Sequence, residues 1–110
     1  MSYVEIWDPN DVLNLTSKGA LLVDVRARGA YDKEHIKGSI NIPLDDLDSH
    51  LENLPRDKPI VVYCGSVECT MSYFAARKLA ANGFTAYRYT PGLKGWKEAG
   101  LPTEGLKAST

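Results

Sequence analysis

Ile60-Val61-Val62-Tyr63-Cys64-Gly65-Ser66-Val67-Glu68-Cys69-Thr70 is the stretch on which the fold turns. Ile60–Tyr63 is the most strand-like run in the chain, and it leads directly into Cys64. Cys69–Asn82 follows with helical composition, including four alanines, and Gly83 is its expected C-cap. A strand, a short loop and a helix in that order make one βα unit.

The same alternation extends in both directions. Downstream, Phe84–Tyr89 reads as a strand and Leu93–Ala99 as a short helix before Gly100 and Pro102. Upstream, Leu44–Leu54 suits an amphipathic helix, with Leu44, Leu47, Leu51 and Leu54 on one stripe and Pro55 ending it. Ser39–Ile42 is a short strand closed by Pro43, and Arg28–Lys33 is a helical turn. Ala20–Val25 reads as a buried parallel strand running out through Asp24 and Arg26. Val4–Trp7 is a first strand. Asp8 then serves as N-cap, with Pro9 at the first helical position of a helix that stops before Gly19. Strands alternating with helices predict an α/β fold: a central, mostly parallel five-stranded sheet with helices on both faces. Ligands of such sheets gather beyond the carboxyl ends of the strands, and Cys64 lies at such an end.

The 110 residues, 1–110, are the length of one domain, with 106–110 expected as a loose tail. Hydrophobic residues make up 44% and charged residues 25%, ordinary for a globular chain and far from a disordered one. The net charge of -1 argues against nucleic-acid binding through bulk charge. No run approaches a membrane-spanning length. Met1–Asp8 has neither a basic nor an apolar signal region, so a cytoplasmic location is expected. Thiols stay reduced there, and a chain this long needs no disulfide staple. Cys64 and Cys69 are the only two cysteines, and both lie in one loop.

Backbone N–H groups of such a loop converge, and the following helix adds partial positive charge. A thiol at that focus ionises more readily, and the thiolate is the nucleophile. Gly65 permits a tight turn beside it. The plainer reading of Cys64 is a small buried hydrophobe at a strand end. Cys69 has three readings: a resolving thiol that meets Cys64, a thiol that protects Cys64 from over-oxidation, or a residue packed under the helix. A bridge requires Cα atoms about 4.4–6.8 Å apart. Zinc is disfavoured, because two further ligands with suitable spacing are missing.

Several segments together resemble the single-domain rhodanese-like family, from about Val4 to Gly105. Leu21-Leu22-Val23-Asp24-Val25-Arg26 is similar to its first core strand with an Asp-Val-Arg end. Tyr31 to Pro43 contains His35-Ile36-Lys37-Gly38-Ser39-Ile40-Asn41-Ile42-Pro43, similar to a family segment that usually has Ala where Ser39 stands. Ile60–Cys64 resembles the strand that delivers the catalytic Cys. Gly92-Leu93-Lys94-Gly95-Trp96 and Gly100-Leu101-Pro102 resemble its C-terminal elements. The resemblance implies a rhodanese-like three-layer fold and a sulfurtransferase. Cys64 would be the catalytic residue, taking a sulfane sulfur from thiosulfate or a persulfide donor and passing it to a thiol acceptor. A sulfur-relay partner protein is a further implied partner. No metal or organic cofactor is required. The substrate-binding loop would comprise Gly65, Ser66, Val67, Glu68, Cys69 and Thr70, supported by Asp24 and Arg26.

A six-residue loop, Cys64–Cys69, fits the sulfur-handling form of the family, whereas a tyrosine-phosphatase loop needs Arg where Thr70 stands. The loop departs from the family by carrying no Lys or Arg, with Cys69 where Arg is frequent and Glu68 adding negative charge. Weak thiosulfate turnover follows from that departure. Asp24 and Arg26 read best as a polar pair, His35 as structural, His50 as a surface residue and Trp96 as core. Tyr87 and Tyr89 are expected in the core on one strand face, and Arg88 and Lys94 as sources of positive potential near the loop. Beside the sulfurtransferase stand two alternatives: a dithiol redox protein cycling a Cys64–Cys69 disulfide, and a non-catalytic rhodanese-like sulfur-carrier or binding module.

Overall fold

Val4–Ile6 forms strand β1 and runs into helix α1, Pro9–Ser17. Asp8 caps α1 by accepting the Asn10 N–H at 2.8 Å, and Pro9 occupies the first turn, where an N–H has no partner to lose. Strand β2 is Leu21–Asp24, helix α2 is Arg28–Lys33, and two short strands follow, β3 at His35–Ile36 and β4 at Ile40–Asn41. Helix α3, Leu47–His50, is flanked by 3-10 turns at Leu44–Asp46 and Leu51–Asn53. Strand β5, Ile60–Tyr63, precedes helix α4, Met71–Ala81, and strand β6, Ala86–Tyr89. Helix α5, Gly92–Glu98, and strand β7, Thr103–Glu104, are the last elements among the described residues. The computed structural model describes residues 2–106.

Strands β1, β6, β5, β2 and β4 form one five-stranded sheet in that order, and every pairing in it is parallel. β5 is the middle strand. It pairs with β2 on one side, Val62 opposite Val23, and with β6 on the other, Val62 opposite Arg88. All four of its residues are buried, which explains why its sequence is apolar without alternation.

Alternate residues of β5 serve opposite faces. Ile60, Val62 and Cys64 face α3 and α4, in a cluster with Leu47, Ala75, Ala76 and Leu79. Val61 and Tyr63 face α1 and α5, with Val12, Leu93 and Trp96. Helices therefore cover both faces, as the alternation of strands and helices predicts.

The structure differs from the sequence reading at four local points. Leu44–Leu54 is not one continuous helix. Its leucines pack on the α4 face, but Ser49 Oγ donates to the Asp46 carbonyl at 2.7 Å and His50 Nδ1 lies 2.9 Å from the same oxygen. Side chains thus compete for the acceptor that a continuing helix needs. α4 begins at Met71 rather than Cys69, because the Cys69 carbonyl is held by tertiary contacts described below. β3 and β7 pair antiparallel, His35 opposite Glu104, in a second small sheet that two-residue strands do not announce. In the tail, the Leu106 N–H donates to the Asp32 carbonyl at 3.0 Å, so Leu106 is tied down, and 107–110 lie outside the described residues.

Tyr89, on the α5 face, stacks edge-on against Trp96, and its buried hydroxyl has no partner among the described residues. Burial first, and the Asp8 charge second, push its phenol up to about 12. The phenol of an unfolded chain ionises near pH ~10. The folded protein therefore holds this proton longer, and the stability it contributes is present below about pH 10 and lost as pH rises to about 12. Tyr89→Phe removes no hydrogen bond, so it is expected to melt at or above the parent temperature at neutral pH. Its melting temperature should then fall less than the parent's across the alkaline window, as thermal melts on both proteins will read.

Candidate functional site around Cys64

Cys64 follows the last residue of β5 and is fully buried. The first turn of α5 holds it there. Leu93 N–H donates to the Cys64 carbonyl at 2.9 Å, and Lys94 N–H donates to the Gly65 carbonyl at 2.9 Å. Gly92 makes this approach possible. Its φ is +64°, and a Cβ there would collide with the Cys64 carbonyl and stand 3.0 Å from Ser66 N.

The loop 64–70 then turns over itself, with Cys69 N–H donating to the Ser66 carbonyl at 3.2 Å. Among the described residues no acceptor is paired with the backbone N–H groups of Gly65, Ser66 or Val67. Val67 is half exposed at the loop tip. The charge of Glu68 is absorbed locally. Its own backbone N–H first, then the Ser66 hydroxyl at 3.0 Å, and the Lys94 charge, hold its carboxyl below the usual range.

The loop closes on itself at sulfur. Cys64 and Cys69 are joined as a disulfide with Cα atoms 6.4 Å apart, inside the span a bridge tolerates. Cys69 is partly exposed and Cys64 is not.

Beneath the loop lies a buried polar cluster centred on Arg88, which the sequence marks as a source of positive potential near the loop, but whose partners Ser72 and Glu5 it does not single out. Arg88, 8% exposed, projects from β6 toward the α4 face. Its Nε donates to Ser72 Oγ at 3.0 Å, its Nη2 to the Cys69 carbonyl at 3.1 Å, and its Nη1 to Glu5 Oε2 at 3.2 Å. Ser72 Oγ and the Cys69 carbonyl each lie 3.4 Å from Cys64 Sγ. Thr90 Oγ1 donates to Glu5 at 2.8 Å, and this bond leads the causes that hold the Glu5 carboxyl below its ordinary range. A signal for Arg88 exists in the sequence: it is a charge at an inward position, two residues from Ala86, on the strand beside β5. Ser72 and Glu5 carry no such signal.

Asp24 and Arg26 form the expected pair at the end of β2. Asp24 is fully buried and accepts the Arg26 N–H at 2.9 Å and Arg26 Nη2 at 2.8 Å. Arg26 Nη2 also donates to the Glu34 carbonyl at 2.6 Å. The pair borders the loop rather than the sulfur: Arg26 lines a cleft of about 310 Å³ with Gly65, Leu93, Lys94, Lys97 and Glu98. On the opposite face of β5, the Tyr63 hydroxyl accepts the Ile36 N–H at 3.0 Å and lies 2.9 Å from Ser39 Oγ. Ser39 stands where a hydroxyl is needed to partner that phenol.

His35 stacks on Tyr31 at 3.7 Å between ring centres, with Nδ1 2.6 Å from the Tyr31 carbonyl, away from the loop. His50 is half-buried beside Asp46. Trp96 is core, donating from Nε1 to the Pro102 carbonyl at 2.9 Å. Among the described residues no helix is long and apolar enough to cross a membrane.

A parallel sheet that delivers a cysteine into a loop clasped by the next-but-one helix narrows the choice of families, and a family model described as Rhodanese-like domain matches residues 8–99. The chain belongs to the rhodanese-like domain family. It is 40% identical over 83 residues to the HTH-type transcriptional regulator Rv0324 of Mycobacterium tuberculosis, a match covering 76% of this chain and 37% of that protein. The chain thus spans little more than a third of that relative's length. It is 26% identical over 98 residues to the thiosulfate sulfurtransferase GlpE of Coxiella burnetii, covering 88% of this chain and 85% of that protein. The crystal structure of the BH2092 protein from Bacillus halodurans superposes with a TM-score of 0.81 at 29% identity, covering 96% of this chain and 78% of that one. The rhodanese-like fold read from the sequence is therefore the fold of this chain.

Gly92→Ala tests the clasp. A side chain in this left-handed conformation, facing the Cys64 carbonyl, is expected to cost about 2 kcal/mol or more. A lowered melting temperature, with slower reaction of Cys64 toward an alkylating agent in the Cys69→Ser background, is the expected outcome.

Proposed function

We propose that the protein moves a sulfane sulfur from a thiosulfate or persulfide donor to a thiol acceptor through a persulfide on Cys64. The observation that carries this reading is Cys64 at the carboxyl end of the central strand, in a loop whose N–H groups at Gly65, Ser66 and Val67 are unpaired among the described residues. Such groups favour negative charge at the sulfur and at a bound anion. The GlpE relative, named a thiosulfate sulfurtransferase, supports the same chemistry.

In the first step the Cys64 thiolate attacks the outer sulfur of the donor. A Cys64–sulfur bond forms, the donor's sulfur–sulfur bond breaks, and sulfite or the donor thiolate departs with the electron pair. In the second step an acceptor thiolate attacks the outer sulfur and Cys64 leaves as thiolate. Substrate contact falls to Gly65, Ser66, Val67, Glu68, Cys69 and Thr70, with Asp24 and Arg26 supporting the loop from the side. A cytoplasmic setting, where thiols stay reduced, suits a cysteine that must return to thiolate.

The Cα separation of 6.4 Å favours a second reading of the same site. The Cys69 thiolate attacks the inner sulfur of the persulfide, hydrosulfide leaves, and a Cys64–Cys69 disulfide remains. Without an external sulfur donor the same pair forms a dithiol redox couple.

Intact mass after treatment of the reduced protein with thiosulfate or a small persulfide tests these readings together. The expected result is gain of one sulfur, abolished in Cys64→Ser and longer-lived in Cys69→Ser. Loss of two hydrogens that requires both cysteines, with no sulfur adduct in Cys69→Ser, would replace sulfur transfer by the redox couple. An unchanged mass with either donor would leave a binding module. Because the loop has no cation of its own, the KM for thiosulfate is expected above about 1 mM, the upper end of the ordinary range.

A further inference from the structure

The buried guanidinium of Arg88 has a chemical consequence for Cys64. Ser72 Oγ sits between Arg88 Nε, at 3.0 Å, and Cys64 Sγ, at 3.4 Å. A hydroxyl has one proton to donate. Because it accepts from Arg88 Nε–H, its own O–H is free to point at sulfur. The Cys69 carbonyl also faces Cys64 Sγ at 3.4 Å, and its negative end would oppose charge on that sulfur. Arg88 Nη2 binds this carbonyl at 3.1 Å and offsets that opposition.

The guanidinium is held rigidly. Glu5 Oε2 fixes Nη1, Thr90 fixes Glu5, and the Tyr73 ring lies 5.9 Å from the guanidinium carbon. Each of its nitrogens that reaches the cluster has a partner, as a buried cation requires.

We propose that Arg88, anchored by Glu5 and acting through Ser72, is a positioning residue that fixes Cys64 Sγ and stabilises the negative charge collecting there. It takes the place of the basic side chain that the loop lacks, from below rather than from the rim. The proposal rests on Cys64 being the reactive sulfur of the proposed function. Each turnover ends with an electron pair on Cys64 Sγ, when the acceptor takes the outer sulfur or when a thiol opens the disulfide at Cys69. The other charged groups around the loop are committed elsewhere or lie at its rim. Arg26 is bound to Asp24, Glu68 to Ser66 and its own N–H, and Lys94 lines the cleft beside Gly65.

The test needs no sulfur donor, so its failure is distinct from failure of the sulfur-transfer reading. In the Cys69→Ser background, the rate at which iodoacetamide alkylates Cys64 is followed by mass against pH. Ser72→Ala and Arg88→Met are each expected to raise the pH midpoint by about one unit, the worth of one hydrogen bond to a charged acceptor. Ser72→Thr, which keeps the hydroxyl, holds the parent midpoint. Where Arg88→Met fails to fold, Arg88→Gln, which removes the charge and keeps a polar side chain in the buried site, is read instead and moves the midpoint in the same direction. A midpoint equal to the parent's in Ser72→Ala, or in the Arg88 variant that folds, in a protein that still melts cooperatively, overturns the proposal.

Discussion

Two backbone hydrogen bonds, from Leu93 N–H to the Cys64 carbonyl and from Lys94 N–H to the Gly65 carbonyl, set the geometry on which the loop depends. A loop that must present its own N–H groups to an anion has to dispose of its carbonyls elsewhere. The first turn of α5 takes the first two. Its unpaired N–H groups are the ones a helix start cannot satisfy internally, so loop and helix satisfy each other. Gly92 follows from that union, because no side chain fits between the helix start and the Cys64 carbonyl. The relative position of β5 and α5 is in turn held by Trp96 and Leu93 in the core below.

The two faces of β5 divide the work between them. Tyr63 faces α5 and ties the strand end to Ile36 and Ser39, with burial raising its phenol well above the ordinary range so that it stays a neutral partner. Cys64, one residue later, faces α4 and meets Ser72 and the Arg88 cluster. A one-residue slip of register would exchange those environments, placing the thiol beside Ile36 and Ser39 and the phenol beside the guanidinium. Register is protected by the apolar residues on both sides of the sheet, none of which tolerates exposure to the other cluster's polar groups.

Much of this was legible in the sequence, and the reasons are local. Ile60–Tyr63 and Arg28–Lys33 stand where the residues place them, because an unbroken apolar run and a compact helical turn leave little choice. Asp8 and Pro9 start α1 because capping is a property of neighbours in the chain. Legibility failed where distant residues decide. The start of α4 moves from Cys69 to Met71 because Arg88, nineteen residues away, holds the Cys69 carbonyl. The helix expected over Leu44–Leu54 breaks because Ser49 and His50 claim a backbone acceptor. β3 and β7 exist only because the chain returns after α5 to lie beside His35.

The site was legible in the same uneven way. Both cysteines declare themselves by spacing, and their Cα separation is what that spacing permits. The charge balance of the loop is legible only in part, since counting Lys and Arg between Cys64 and Thr70 finds none, and Arg88 and Lys94 stand out as nearby cations without their direction being fixed. Compensation comes instead from β6, which is adjacent to β5 in space but separated from it by all of α4. Strand alternation carries the clue: Val62 lies opposite Arg88 in the ladder, and Cys64 shares the face of Val62. A cation at that register is directed under the loop, where it is shielded from water and salt. It therefore acts on the sulfur more strongly than an exposed lysine at the rim would. The absence of basic residues in the loop thus bears on how an anionic donor is captured, while Arg88 bears on how the sulfur itself is held.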